Sequence, residues 1–98
     1  SESYFPPGVF QSEFICFYCV AIPKHIWQTV GPLDPTFKTG QDDVDYCKRV
    51  KKAGMVVATD SSALVWHASG ASADLALTQE IRDQNKRYYQ AKWNEPAP

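Results

Sequence analysis

The chain has 98 residues, 44% of them hydrophobic and 13% aromatic, with 10 Lys and Arg against 11 Asp and Glu and a formal charge of -1. That length builds one small domain with a modest core, and the balanced, interspersed charge leaves no basic surface for a nucleic-acid backbone. No apolar run approaches the roughly 20 residues that cross a bilayer, and Ser1 to Gly8 lacks the basic-then-apolar pattern of a signal peptide. The 3 cysteines, an odd number at low density, argue against a disulfide framework and for a reducing compartment. The expectation is a chain without a transmembrane segment, located in the cytoplasm, with peripheral attachment at the inner face of the membrane left open.

Ser1 to Pro7, with its Pro6-Pro7 pair, reads as an extended lead-in. Val9 to Ile22 is β-rich but interrupted at Gln11-Ser12-Glu13, so a buried strand is expected over Phe14 to Ala21. Pro23 ends that segment and opens a short helix, Lys24 to Val30, with Ile26, Trp27 and Val30 spaced for one buried face. Gly31-Pro32 closes it, and Leu33-Asp34-Pro35-Thr36-Phe37 is a turn-forming link in which Pro35 pushes Asp34 to an extended conformation.

The next helix is the best specified. Asp42, Asp43 and Asp45 crowd its first turn, Lys48, Arg49, Lys51 and Lys52 fill its last turns, and Gly54 stops it. This order suits the helix macrodipole, which favours carboxylates at the amino end and cations at the carboxyl end. Val44, Cys47 and Val50 recur at helical spacing and are expected to face the core, with Asp42, Asp45 and Arg49 turned away and Asp43 at the margin. Met55 to Thr59 and Ala63 to His67 are two further strand candidates, separated by the turn Asp60-Ser61-Ser62. After the loop Ser69 to Ser72, an amphipathic helix is expected from about Asp74 to Trp93, followed by a frayed tail over 94–98. The fold class is therefore α/β of the α+β kind, a small mixed sheet with two to three packed helices, in a single domain 1–98.

Two residue clusters suggest chemistry. Asp42, Asp43 and Asp45 repel one another more than capping requires, and a divalent ion would relieve that repulsion; with His67 at the end of an apolar strand they outline a metal-and-base site. The bland alternative is a solvated helix end and a satisfied histidine. Cys16 and Cys19 form a C-x-x-C that, with Cys47 and His67, outlines a Cys3His zinc site. A strand through Cys16 and Cys19 opposes this, because residues 3 apart then point to opposite faces, and Cys47 is more simply a small core residue.

Three motifs in order carry a resemblance. They are Val30-Gly31-Pro32-Leu33-Asp34-Pro35-Thr36-Phe37, then Asp42-Asp43-Val44-Asp45-Tyr46-Cys47-Lys48-Arg49, then His67-Ala68-Ser69-Gly70; Asn85, Tyr88, Tyr89 and Lys92-Trp93 extend the pattern to the last helix. In this order the chain resembles the carboxyl-terminal half of family 2 glycosyltransferases, inverting enzymes of GT-A fold that use nucleotide-activated sugars. Asp42 stands where the family more often has Glu. The resemblance implies a partial GT-A-like fold lacking the nucleotide-binding Rossmann-like half, since Asp43-Val44-Asp45, the chain's one D-x-D, lies inside the base helix.

It implies roles as well. Asp43 would be the general base that deprotonates an acceptor hydroxyl, Asp42 would orient the acceptor or the base, and His67 would ligate a divalent cation, Mn2+ or Mg2+, that neutralises the leaving diphosphate. Asp45 and Arg49 would form structural salt bridges. Trp27 and Trp66 are candidates to stack on a sugar face, with core packing as the competing reading. The complete enzyme would take a nucleotide-sugar donor and a saccharide or lipid-linked acceptor. The half on its own would be inactive and would expose an apolar face and sheet edge, favouring a homo-oligomer. The alternatives are a non-catalytic binding or assembly module on the same scaffold and, more weakly, a small zinc-binding protein.

Overall fold

The computed structural model describes residues 5–17, 19–38, 40–63 and 75–98. In chain order they form β1 (Val9–Ser12), α1 (Lys24–Val30), α2 (Asp42–Lys52), β2 (Val57–Asp60) and α3 (Leu75–Trp93). The class is α+β, with three helices and an antiparallel sheet of two strands among the described residues, where a mixed sheet was expected. The register pairs Val9 with Asp60 and Ser12 with Val57, and the Ser12 and Thr59 hydroxyls bond across the strands at 2.8 Å. Gly8, at φ 85°, lets the chain enter β1 while its carbonyl accepts from the Ser61 amide at 2.7 Å.

The strand expected over Phe14 to Ala21 is not formed among the described residues of that span. β1 lies earlier, and the following segment turns at Phe17 and bends at Cys19. The apolar residues responsible for the expectation are still used, but against a helix. Ile15, Phe17 and Ile22 pack on a cluster made by Tyr46, Cys47 and Val50 of α2 with Val57 of β2. β propensity measures fit to a half-buried surface more than a backbone preference, and here α2 supplies that surface.

α2 is the central element. Gln41 precedes it in the left-handed region at φ 65°, and its first free amides are met by carboxylates: Asp42 Oδ1 accepts from the Asp43 amide at 3.0 Å and Asp43 Oδ1 from the Val44 amide at 2.8 Å. At its other end Gly54, at φ 86°, donates to Lys51 and Met55 donates to Val50, the paired bonds of a Schellman stop, with Met55 packed back onto the Val50 cluster. Cys47 and Val50 face the core, as the periodicity requires, and Tyr46 joins them, while Val44, expected on the same face, is half-buried. Each fully buried apolar side chain of this kind contributes about 1.5 to 3 kcal/mol.

Asp45 corrects the expectation that it points away from the interior, because its side chain is completely buried. It is covered from the far side by the end of α3, where Trp93 and Lys92 reach it. A second packed group forms there, with Phe37 against Tyr88 at 4.8 Å between ring centroids and Tyr89 buried beside them. The tail expected to fray lies along α2, with Glu95 paired to Lys48 and the Pro98 carbonyl 3.4 Å from Gln41 Nε2.

Candidate functional site

The residues picked out by sequence separate into a bonding core and an open margin. The core is built on two carboxylates. Asp45 accepts from Arg49 Nε at 3.1 Å, from Trp93 Nε1 at 2.9 Å and from Lys92 Nζ at 2.8 Å. Asp34 accepts from the same Lys92 Nζ at 2.8 Å, from Tyr88 Oη at 2.8 Å and from the Thr36 amide at 3.0 Å. Lys92 thus bridges the link before α2 to α2 itself. Its hydrogen bond holds the Asp34 carboxyl well below the usual carboxylate range, assisted against burial by Thr36 and Tyr88. Burial opposes the Lys92 charge, but the two carboxylates outweigh it and raise its affinity for the proton.

Arg49 extends this network to α1. Its Nη2 donates to the Pro32 carbonyl at 2.9 Å and its Nη1 to Val30 at 3.4 Å, just beyond the carboxyl end of α1, where a cation is favoured. Tyr46 donates to the Gly31 carbonyl at 2.8 Å from the same side. Asn85, buried in α3, accepts from the Lys38 amide at 3.1 Å and donates to the carbonyls of Gly40, at 3.1 Å, and Lys38. The link, the acidic helix and the last helix are therefore tied together by side chains 45 to 58 positions apart in the chain. Sequence reasoning assigned Asp45 and Arg49 to salt bridges, which they form, but read Asp34 only as a turn residue. Its usable signal was its place beside Tyr88 and Lys92 in the ordered motifs.

The margin contains Asp42 and Asp43, both half-buried. Each spends one oxygen on a helix-start amide, so capping accounts for part of the acidic cluster. The second oxygen of Asp43 has a long contact, 3.4 Å, from the amide of Phe17. That leaves a carboxylate oxygen at the helix mouth with spare accepting capacity. Trp27 is 44% exposed and stacks on Tyr46, with centroids 6.2 Å apart, so one of its faces is covered and the other is open. Trp66 and His67 lie outside the described residues. Among the described residues no group of three His, Cys, Asp or Glu could hold a metal ion. Cys16 and Cys19 are exposed, whereas Cys47 is buried, and burial pushes its thiol up.

Beside this margin lies an apolar hollow of about 230 Å³, walled by Ile15, Phe17, Val20, Ile26, Tyr46 and Val56 among others. Phe17 belongs to its wall by side chain and meets Asp43 by backbone. No helix among the described residues is long and apolar enough to cross a membrane. Comparison with protein-family models, curated proteins and solved structures finds no match to this chain.

Proposed function

We propose that the chain is the acceptor-side segment of an inverting, nucleotide-sugar-dependent glycosyltransferase similar to family 2, with a partial GT-A-like fold. The observation that carries this reading is the mutual bonding of the residues that make up the resemblance. Asp34 of the first motif meets Tyr88 and Lys92 of the last, and Asp45 of the acidic motif meets Lys92 and Trp93. A chance succession of short motifs has no reason to converge on two carboxylates.

Within that frame Asp43 is the base. Its second oxygen takes the proton of an acceptor hydroxyl, whose oxygen then attacks the anomeric carbon and displaces the nucleoside diphosphate with inversion. Asp42 orients the acceptor or the base, Trp27 offers its open face to a sugar ring, and Trp66 is the second aromatic candidate. His67, outside the described residues, would be a ligand to Mn2+ or Mg2+, which would supply positive charge to the leaving diphosphate when bound. The donor-binding half has no counterpart in this sequence, so the segment alone is inactive.

The test is sugar transfer from UDP- and dTDP-sugars, assayed with manganese in the longest natural chain that carries this segment. Asp43→Asn should lower turnover by about 100-fold or more, the usual range for a general base, while costing no more than about 1 kcal/mol of stability at the helix start. Full turnover in the variant, or no transfer from any nucleotide sugar, refutes the reading.

A second reading, a non-catalytic assembly module that pairs with another copy of itself, is favoured by the apolar hollow together with exposed Phe14, Val20, Trp27 and Val56. Light scattering decides it, because a monomer at high concentration excludes it.

A further inference from the structure

The apolar hollow is concave, with a buried floor and an open rim. Tyr46, Cys47, Val50 and Val57 make the floor, whereas Val20 and Val56 stand at the rim, 37% and 46% exposed. Among the described residues that wall it none carries a charge, and the Tyr46 hydroxyl is already spent on the Gly31 carbonyl at 2.8 Å. Burial, with the Asp43 charge adding to it, pushes the Cys47 thiol up, so the sulfur in the floor is neutral and behaves as a small apolar group. Such walls offer a guest dispersion contacts and shelter from water, and no charged partner for a phosphate, a carboxylate or an ammonium group.

Three contacts set this hollow beside the candidate chemistry. Phe17 gives its side chain to the wall and its amide to Asp43 Oδ2 at 3.4 Å. Cys47, in the floor, feels the Asp43 charge. Tyr46, beside it, is the ring on which Trp27 stacks, with centroids 6.2 Å apart. A molecule whose hydroxyl meets the spare oxygen of Asp43 therefore has an apolar cavity within its own length. An apolar cavity of about 150 Å³ takes up benzene, so this one, at about 230 Å³, has room for about nine carbons. That size fits one ring or short chain of a small molecule, whereas a second copy of the protein would have to bury about 800 Å² on each side, far more than these walls supply.

We propose that the hollow seats the apolar end of the acceptor, an alkyl or aryl group of about nine carbons attached to the part that bears the reacting hydroxyl. Naming the guest as acceptor rests on the reading of Asp43 as the base, whereas the affinity of the hollow for an apolar group does not.

The test titrates the chain with alkyl glucosides from methyl to decyl, below their micelle concentrations, and follows backbone amide signals by NMR. Affinity should rise about two- to fourfold for each added methylene, the upper figure being that of full burial, and level off near nine carbons. The shifts should centre on Phe17 and Cys47. Val56→Asp and Val20→Asp, each at an exposed rim position, should remove the chain-length dependence while the circular dichroism stays that of wild type. Affinity independent of chain length, shifts confined to Trp27, or self-association that buries the hollow and ignores the glucosides would each overturn the proposal. A second arm measures sugar transfer to methyl and octyl glucoside in the longest natural chain that carries this segment. Transfer with equal kcat/KM for the two acceptors overturns the hollow and leaves the glycosyltransferase reading standing. Chain-length-dependent binding with no transfer upholds the affinity of the hollow and refutes the reading of Asp43.

Discussion

Replacing Asp45 by Asn is the sharpest perturbation of this molecule. The two side chains have nearly the same shape, so packing is kept while charge is removed. Asn can still accept from Trp93 or Lys92 through its oxygen, but its amide nitrogen then faces Arg49 Nε, 3.1 Å from the present oxygen, donor against donor. The mismatch leaves buried polar atoms unsatisfied at a cost of about 1 to 3 kcal/mol. Losing the charge-assisted character of the remaining bonds adds about 1 kcal/mol. Arg49 keeps Pro32 and Lys92 keeps Asp34, which holds the total near 3 kcal/mol, the lower edge of what breaking a buried ion pair costs. A domain of this size has about 5 to 15 kcal/mol of stability in all. The melting midpoint should fall by about 12 to 24 °C, at roughly 4 to 8 °C per kcal/mol, read by circular dichroism. Asp42→Asn, which touches only one helix-start amide, should cost under about 1 kcal/mol. Equal losses in the two variants would refute the assignment of Asp45 as the interior anchor.

Two further outcomes follow from the same network. Asp34 binds its proton less tightly folded than unfolded, so its contribution is present above the ordinary carboxylate value of about 3.9 and is lost as pH falls below it. Urea midpoints of wild type and Asp34→Asn should therefore differ at pH 7 and draw steadily closer as pH falls below about 4, and a gap that stays constant with pH contradicts the Lys92 pairing. Asn85→Ala removes partners from the Lys38 amide and from the carbonyls of Lys38 and Gly40, and should cost about 2 to 3 kcal/mol in denaturant titration; a loss within 0.5 kcal/mol, the scatter of about that size seen at surface positions, counts against it.

The helices were legible because their information is local. Pro23 before Lys24 to Val30, the carboxylates and Gly54 around α2, and the spaced apolar residues of α3 are signals carried within one or two turns of each element. The strands were less so. Met55 to Thr59 was expected and Val57–Asp60 is observed, a shift of two residues at the start, whereas the strand over Phe14 to Ala21 was misplaced altogether. An apolar run says that side chains need burial without saying which surface will bury them.

The candidate site divides along the same line. That Asp42 and Asp43 sit at a helix start follows from their spacing and from Gly54 downstream, and charge order alone makes that helix favourable. That Asp45, two residues on, is wholly interior depends on Trp93 and Lys92 arriving from 47 or more positions away, and no periodicity within α2 encodes that arrival. The same holds for Asp34, whose neighbours in sequence make a turn and whose partners in space make a network. Local sequence sets which backbone shapes are cheap, because caps, turns and helix propensities act over a few residues. Which carboxylate becomes an anchor and which keeps an oxygen free was settled only when α3 packed across α2, since burial and pairing are properties of the whole assembled chain.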